Sequence, residues 1–213
     1  MRRILLFFPL ILAVSPVAGQ AQSPAPESPT PSPVPAAREK PDAGELKRIN
    51  VLLSAFSAPE LCGGEFPGAV IESYRLLWDR AFHPPVLATV TLEGSGVVIA
   101  THAQLGSDPR NGKVSRIERT WVDVCAEHAA DAGFCEDFAS VLHDGASEYL
   151  WSAPYGEPPF IGLDGSDWIL EGRTSTSCHV IKRWSPNTDS ELFQFLYSIL
   201  TATGKRPYFD EVY

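Results

Sequence analysis

Two carboxylates, a histidine and an arginine recur at short spacing in one stretch of the chain: Asp167, Glu171, His179 and Arg183. A carboxylate beside an imidazole is the residue pair of general acid–base work, and a guanidinium nearby can hold an anionic group. A small hydrolase or metal-dependent enzyme built this way would use Glu171 to orient or deprotonate His179, with Arg183 on the substrate. The alternative is a ladder of opposite charges on one face of a half-solvated antiparallel sheet. No other motif supplies the missing catalytic parts. There is no His-Glu-x-x-His spacing among the histidines at 83, 102, 128, 143 and 179. There is no Gly-x-Ser-x-Gly elbow and no dinucleotide fingerprint, and Gly63-Gly64 is not followed by the Gly-Lys-Ser/Thr of a phosphate loop. The ladder is the preferred reading, and with it a non-enzymatic role; enzyme activity stays an open alternative.

These residues must be positioned by two strands, Gly162–Gly172 and Cys178–Pro186, joined by a polar loop over Arg173–Ser177. Side chains alternate faces along a strand, so a register is judged by how cleanly it sorts them. Pairing Gly172 with Cys178 places Leu170 against Val180, with Trp168 and Trp184 on the same apolar side. The opposite face then carries Asp167, Ile169, Glu171, His179, Ile181 and Arg183. In that register Glu171 lies across from His179 and Asp167 across from Arg183. Trp168, Leu170, Val180 and Trp184 are then expected to receive the C-terminal helix.

The flanking elements follow from pattern. Asp42-Ala43-Gly44-Glu45 resembles a capping box, and Leu46, Ile49, Leu52, Leu53 and Phe56 recur at helical spacing until Pro59. Val70 to Phe82 reads as a strand with Tyr74, Leu76 and Trp78 on one face. Val86–Glu93 and Val97–Thr101 are strands joined through Gly94-Ser95-Gly96, a hairpin signal. Leu105–Lys113 is a polar loop, and Val114–Val124 the next strand. Gly133 splits a helical segment, leaving a main helix from about Cys135 to His143. A short apolar segment, Ser147–Pro154, follows. Thr188-Asp189-Ser190-Glu191 is a second capping box, opening a helix over Leu192–Leu200 that Gly204 ends. The short tail, Pro207–Tyr213, is expected to dock through Tyr208, Phe209 and Tyr213. Strands joined by tight turns pair antiparallel. The fold class is therefore α+β: an antiparallel sheet of about five to seven strands with helices packed on one face.

Four cysteines, Cys62, Cys125, Cys135 and Cys178, allow three disulfide connectivities. Closeness in sequence favours Cys125 with Cys135, which leaves Cys62 with Cys178, although a free buried Cys178 is also compatible with the pattern. Cys125-Ala126-Glu127-His128 with Cys135 lacks the second ligand pair of a closed zinc site, so no metal or cofactor is expected.

The N-terminal part has another character. Arg2 and Arg3 precede an apolar run from Ile4 to Val14, and small residues follow at Ala18, Gly19 and Ala21. Residues 1–22 read as a secretory signal peptide, with an uncleaved anchor as the alternative. Residues 23–41 are proline-rich and read as a disordered linker. The remaining 42–213 form a single domain. Loss of Arg2 and Arg3 takes the formal charge from −9 to −11. A chain this acidic repels phosphate backbones, so no nucleic-acid partner is expected. Nor is a transmembrane span expected after cleavage. A periplasmic or secreted location, with a protein or small-molecule partner in the envelope, follows.

Several blocks together are more specific than any one alone. They are Glu72-Ser73-Tyr74-Arg75-Leu76-Leu77-Trp78, Phe82-His83-Pro84-Pro85, Gly162-Leu163-Asp164-Gly165 with Trp168 and Leu170-Glu171-Gly172, and His179-Val180 with Arg183-Trp184-Ser185-Pro186. In these the chain resembles a family of bacterial exported proteins of uncharacterised activity, over about Glu72 to Gly204. It departs from the pattern at Cys178 and around Gly106–Gly112. The resemblance implies no activity. It does draw Arg75, Arg80 and His83 in as partners for the polar face of the hairpin.

Overall fold

A computed structural model describes residues 40–107, 116–131, 133–156 and 165–205. The expected leader, the proline-rich stretch up to residue 39, the Gly162-Leu163-Asp164 block and the tail from Pro207 lie outside the described residues. The element order is α1 (Ala43–Ala55), β1 (Val70–Arg80), β2 (Val86–Glu93), β3 (Val98–Leu105), β4 (Ile117–Asp123), α2 (Val124–Glu127), α3 (Phe134–Tyr149), β5 (Ser166–Arg173), β6 (Cys178–Trp184) and α4 (Glu191–Thr201). The six strands make one antiparallel sheet in the order β4-β3-β2-β1-β5-β6. The class is α+β, as the pattern requires.

β1 is central, between β2 and β5, and its sequence fits that place. Tyr74, Leu76 and Trp78 enter one core with Trp168 and Leu170 of β5, beneath Phe193, Leu196, Ile199 and Leu200 of α4. Leu77 enters a second core on the opposite face, with Leu87 and Ile169 beneath Ile49, Leu52 and Leu53 of α1. Helices were expected on one face only. α3 and α4 share one face, and α1 covers the other. The physical reason is β1 itself: an apolar residue on each face of a central strand leaves two surfaces to bury, each worth about 1.5–3 kcal/mol per large side chain.

Local signals set most element ends. Asp42 caps α1, its carboxylate accepting from Glu45 N at 2.8 Å. Gly96 takes φ 86° in the β2–β3 turn, a conformation glycine adopts without strain. α4 begins two residues later than the Thr188 box implies: Ser190 is the cap, and its hydroxyl accepts from Phe193 N at 3.1 Å. α3 is longer than expected and runs through Gly145 to Tyr149. There the glycine permits close packing. A Cβ at Gly145 would lie 2.5 Å from Cδ2 of Phe195 on α4.

The β5–β6 register is one residue away from the expected one. Arg173, not Gly172, pairs with Cys178, so Gly172 faces His179, Glu171 faces Val180 and Trp168 faces Arg183. The loop is shorter by one residue because Thr174 closes it. Its hydroxyl accepts from the N–H groups of Thr176 (3.3 Å) and Ser177 (3.0 Å), and its own N–H donates to Ser177 O at 2.8 Å. Tertiary packing agrees with this choice: a Cβ at Gly172 would lie 2.3 Å from Leu150 Cδ2, so this position sits tight against the end of α3. A shift of one residue exchanges the faces of a strand. Ile181 therefore enters the α4 core with Trp168 and Leu170. Val180 packs against the α1 core instead, and alternation carries Trp184 to that same side.

Candidate functional site

The same shift separates the polar residues that the hairpin was expected to gather. Asp167 and Glu171 share the α1 face, whereas His179 and Arg183 lie on the opposite one. His179 Nε2 is 2.8 Å from Ala153 O, and Arg183 Nη1 donates to the carbonyls of Pro154 (3.2 Å), Tyr155 (3.3 Å) and Lys182 (2.7 Å). These two side chains fasten the segment that leaves α3 along β6, where Lys182 N donates to Tyr155 O. That covers part of an otherwise open sheet edge. Glu171 and His179 do not meet, so the acid–base pair read from the sequence does not form. Arg80 is on the α4 face, with its Cζ 4.5 Å from the Trp78 ring centroid and with Nε and Nη2 donating to Pro84 O. His83 is exposed in the β1–β2 turn.

Two ionic groups lie on the α1 face. In the first, Arg48 of α1 donates to both Asp79 and Asp167. Lys182 Nζ is 2.9 Å from Asp167 Oδ1 and 2.7 Å from Glu45 Oε1. Asp79 and Asp167 are cross-strand partners, and two adjacent buried carboxylates repel unless cations separate them. Arg48 and Lys182 do so, which pins the first half of α1 to the sheet.

In the second group, Arg75 of β1 and Glu171 of β5 are cross-strand partners, Nη2 to Oε2 at 2.6 Å. The same Glu171 oxygen accepts from Cys62 N at 2.7 Å. Arg75 also donates to the carbonyls of Pro59 (2.8 Å) and Glu60 (3.1 Å). Arg173 donates to those of Gly63 (2.7 Å) and Gly64 (3.0 Å), and lies 5.6 Å from the Phe66 ring centroid. Cys62 is bonded to Cys178 of β6, with Cα atoms 5.7 Å apart, and Cys125 to Cys135 at 5.2 Å. Of the three connectivities, this is the one that spacing favours. The connector from α1 to β1 is thus held by two guanidiniums, a carboxylate and a disulfide. It needs them, because it is rich in glycine and proline and buries little apolar surface.

Between this connector and the sheet lies a cleft of about 220 Å³. Ala58, Pro59, Phe66 and Pro67 wall it; Leu87 and the hydroxyl residues Ser73, Thr89 and Thr91 form its floor. Arg75, Glu171 and Arg173 also line it, but their hydrogen bonds go to each other and to the connector backbone. What the cleft offers is an apolar wall over a floor of hydroxyls. Its floor continues along one cross-strand row, Thr89 to Thr101 to Trp121, and Trp121 is 64% exposed.

One group among the described residues has the proximity of a metal site: Cys62 Sγ, Cys178 Sγ and a Glu171 oxygen lie within 4.8 Å of one another. The two sulfurs are joined as a disulfide, and a metal needs thiolates.

Of the sequence candidates, then, the structure joins Arg75 to Glu171 and gives Asp167 other partners. Arg48, Asp79 and Lys182 were not singled out from the sequence, and Glu45 was read only as part of the capping box of the first helix. A usable signal was present for two of them. Glu45 and Arg48 are in helical phase with Ile49, Leu52 and Leu53, so charged residues sit in line with a stripe that must be buried. Phe66 and Pro67 carry no such signal, since a connector has no period. Compared with known proteins, the chain matches no family model, no curated protein and no solved structure.

Proposed function

We propose that this protein is an exported, non-enzymatic binding module of the periplasm or cell envelope, exported like the proteins it resembles, and that its cleft seats one apolar side chain of an extended peptide. The carrying observation is the cleft between Phe66 and Thr89, fixed by Arg75, Glu171, Arg173 and the Cys62–Cys178 bond. At about 220 Å³ it is below the ordinary range of small-molecule sites and suits a single side chain. The shelf of Thr89 and Thr101 leading to the exposed Trp121 gives the rest of such a peptide a surface to lie on. Apolar anchors with nearby hydroxyl and aromatic groups are how interfaces concentrate binding energy. Two disulfides fit an oxidising compartment, and no helix among the described residues is long and apolar enough to cross a membrane.

The test is an amide-shift titration of the oxidised protein with N-acetyl amides of Leu, Phe and Ser. The leucine or phenylalanine amide is expected to shift Ser73, Thr89 and Thr91 saturably, the serine amide not to, and Phe66→Ala to abolish the response. Shifts that ignore side-chain type, or that survive Phe66→Ala, would sink the reading.

A further inference from the structure

The two ends of the sheet differ. At β6 the segment after α3 lies along the strand: Lys182 N donates to Tyr155 O, and Gly156 bridges to Lys182. β4, at the other end, has no neighbouring strand beyond it among the described residues. An open edge is a template for another strand, and proteins blunt it with bulges, proline, charge or a covering segment. β4 has no proline or glycine and pairs with β3 in unbroken register from Ile117 to Asp123. At its middle stands Trp121, 64% exposed.

Charge is the remaining guard, and its order along β4 is self-complementary. Arg119 pairs with Ala103 of the α1 core, so Arg119, Trp121 and Asp123 share the α1 face by alternation. Consider β4 pairing antiparallel with β4 of a second copy, about a two-fold axis normal to the sheet. Residues opposite each other then share a face, so one residue must meet its own copy at the axis. With Trp121 there, Arg119 of each copy faces Asp123 of the other, and Thr120 faces Val122. Glu118 falls opposite Val124, past the end of the strand. With Thr120 at the axis, Arg119 meets Trp121 and Asp123 meets Ile117. With Arg119 there, like charges meet, and with Val122 there, Asp123 meets Trp121. Direct cross-strand pairs of opposite charge favour a register and like charges oppose it, which selects Trp121. Arg119 Nη2 donates to Phe56 O at 2.7 Å and Asp123 Oδ1 accepts from Ala126 N at 3.0 Å. These bonds hold both side chains in place and leave Nη1 and Oδ2 for the pair.

We propose that β4 is a dimerisation edge, and that its partner is a second copy of this chain. The two sheets join through β4, with Trp121 against Trp121 at the two-fold and an Arg119–Asp123 pair on either side. The edge backbone groups of β4 gain partners, and the exposed indole gains an aromatic neighbour. The contact is isologous and closes at two copies, because each spends its open edge while its β6 edge is partly covered. The row Thr89, Thr101, Trp121 then runs on, on the same face, into Trp121, Thr101 and Thr89 of the second copy. The inference does not rest on the peptide cleft, and its test uses no peptide.

The experiment is sedimentation velocity of the full, oxidised chain, with deuterium exchange of the β4 amides as the local readout. Wild type is expected to show a monomer–dimer equilibrium, with the β4 amides more protected as concentration rises. Arg119→Asp and Asp123→Arg each put two like-charge pairs in the interface, so each alone is expected to dissociate about tenfold or more readily. Mixed in equal amounts, the two variants meet with opposite charges at both places, and the dimer returns. Trp121→Glu, at an exposed position, keeps the fold and abolishes the concentration-dependent protection; it serves if the change at Asp123, the cap of α2, disturbs that turn. The proposal is overturned if wild type stays monomeric at about 1 mM. It is equally overturned if Trp121→Glu protects β4 as wild type does, or if the folded variants gain no dimer on mixing.

Discussion

Replacing Glu171 by glutamine isolates the Arg75–Glu171 pair. The side chains are 9% and 3% exposed, so neither charge has water to fall back on. Removing one partner of such a pair costs about 3–5 kcal/mol, because the other charge stays buried. Two features place Glu171→Gln at the lower end. The amide oxygen can still accept from Cys62 N, and Arg75 keeps the carbonyls of Pro59 and Glu60. The expected loss is about 3 kcal/mol, or about 6–12 °C in Tm for a domain of this size. Urea unfolding of the oxidised protein measures it. Removing both charges as Arg75→Met/Glu171→Leu should cost less than Glu171→Gln alone, since no charge is stranded. A cycle of Glu171→Gln with His179→Ala should be additive within about 0.5 kcal/mol, because the two side chains occupy opposite faces and share no partner. A Glu171→Gln cost below about 0.5 kcal/mol would refute the buried-pair argument. Strong coupling to His179 would revive the acid–base reading.

Two further outcomes follow from packing and from chain entropy. Gly145→Ala should destabilise by about 1–3 kcal/mol although alanine is the better helix former, because its methyl meets the Phe195 ring at 2.5 Å; introducing Phe195→Leu should remove most of the cost of Gly145→Ala, and a stabilising Gly145→Ala in the otherwise unchanged chain would contradict the packing. Replacing Cys62 and Cys178 by serine should cost more than replacing Cys125 and Cys135. The closed loops span 116 and 10 residues, worth about 5 and about 3 kcal/mol in the chain-entropy model, so equal or reversed costs in calorimetry would count against it.

The sequence alone determined what depends on neighbours along the chain. The period-two run Tyr74, Leu76, Trp78 defined a strand and its core face. Asp42 and the Gly94-Ser95-Gly96 turn marked boundaries. The separation of Cys125 and Cys135 favoured one pairing. Antiparallel α+β architecture followed from short turns. Tertiary structure decided what depends on a partner distant in sequence. The main helix was expected to stop near His143, but it runs on through Gly145, where the Phe195 ring fills the space that a side chain would need. Ile49 and Leu77, far apart in the chain, had to meet before a second covered face could be known. The hairpin shows the reason most plainly. Its alternating pattern was legible, but its register was fixed by the Thr174 hydroxyl closing a four-residue loop and by Leu150 pressing on Gly172. One residue of slip moves every side chain of β6 to the other face. It took His179 and Arg183 away from Glu171, and left Arg75, already on the neighbouring strand, as the partner that Glu171 has.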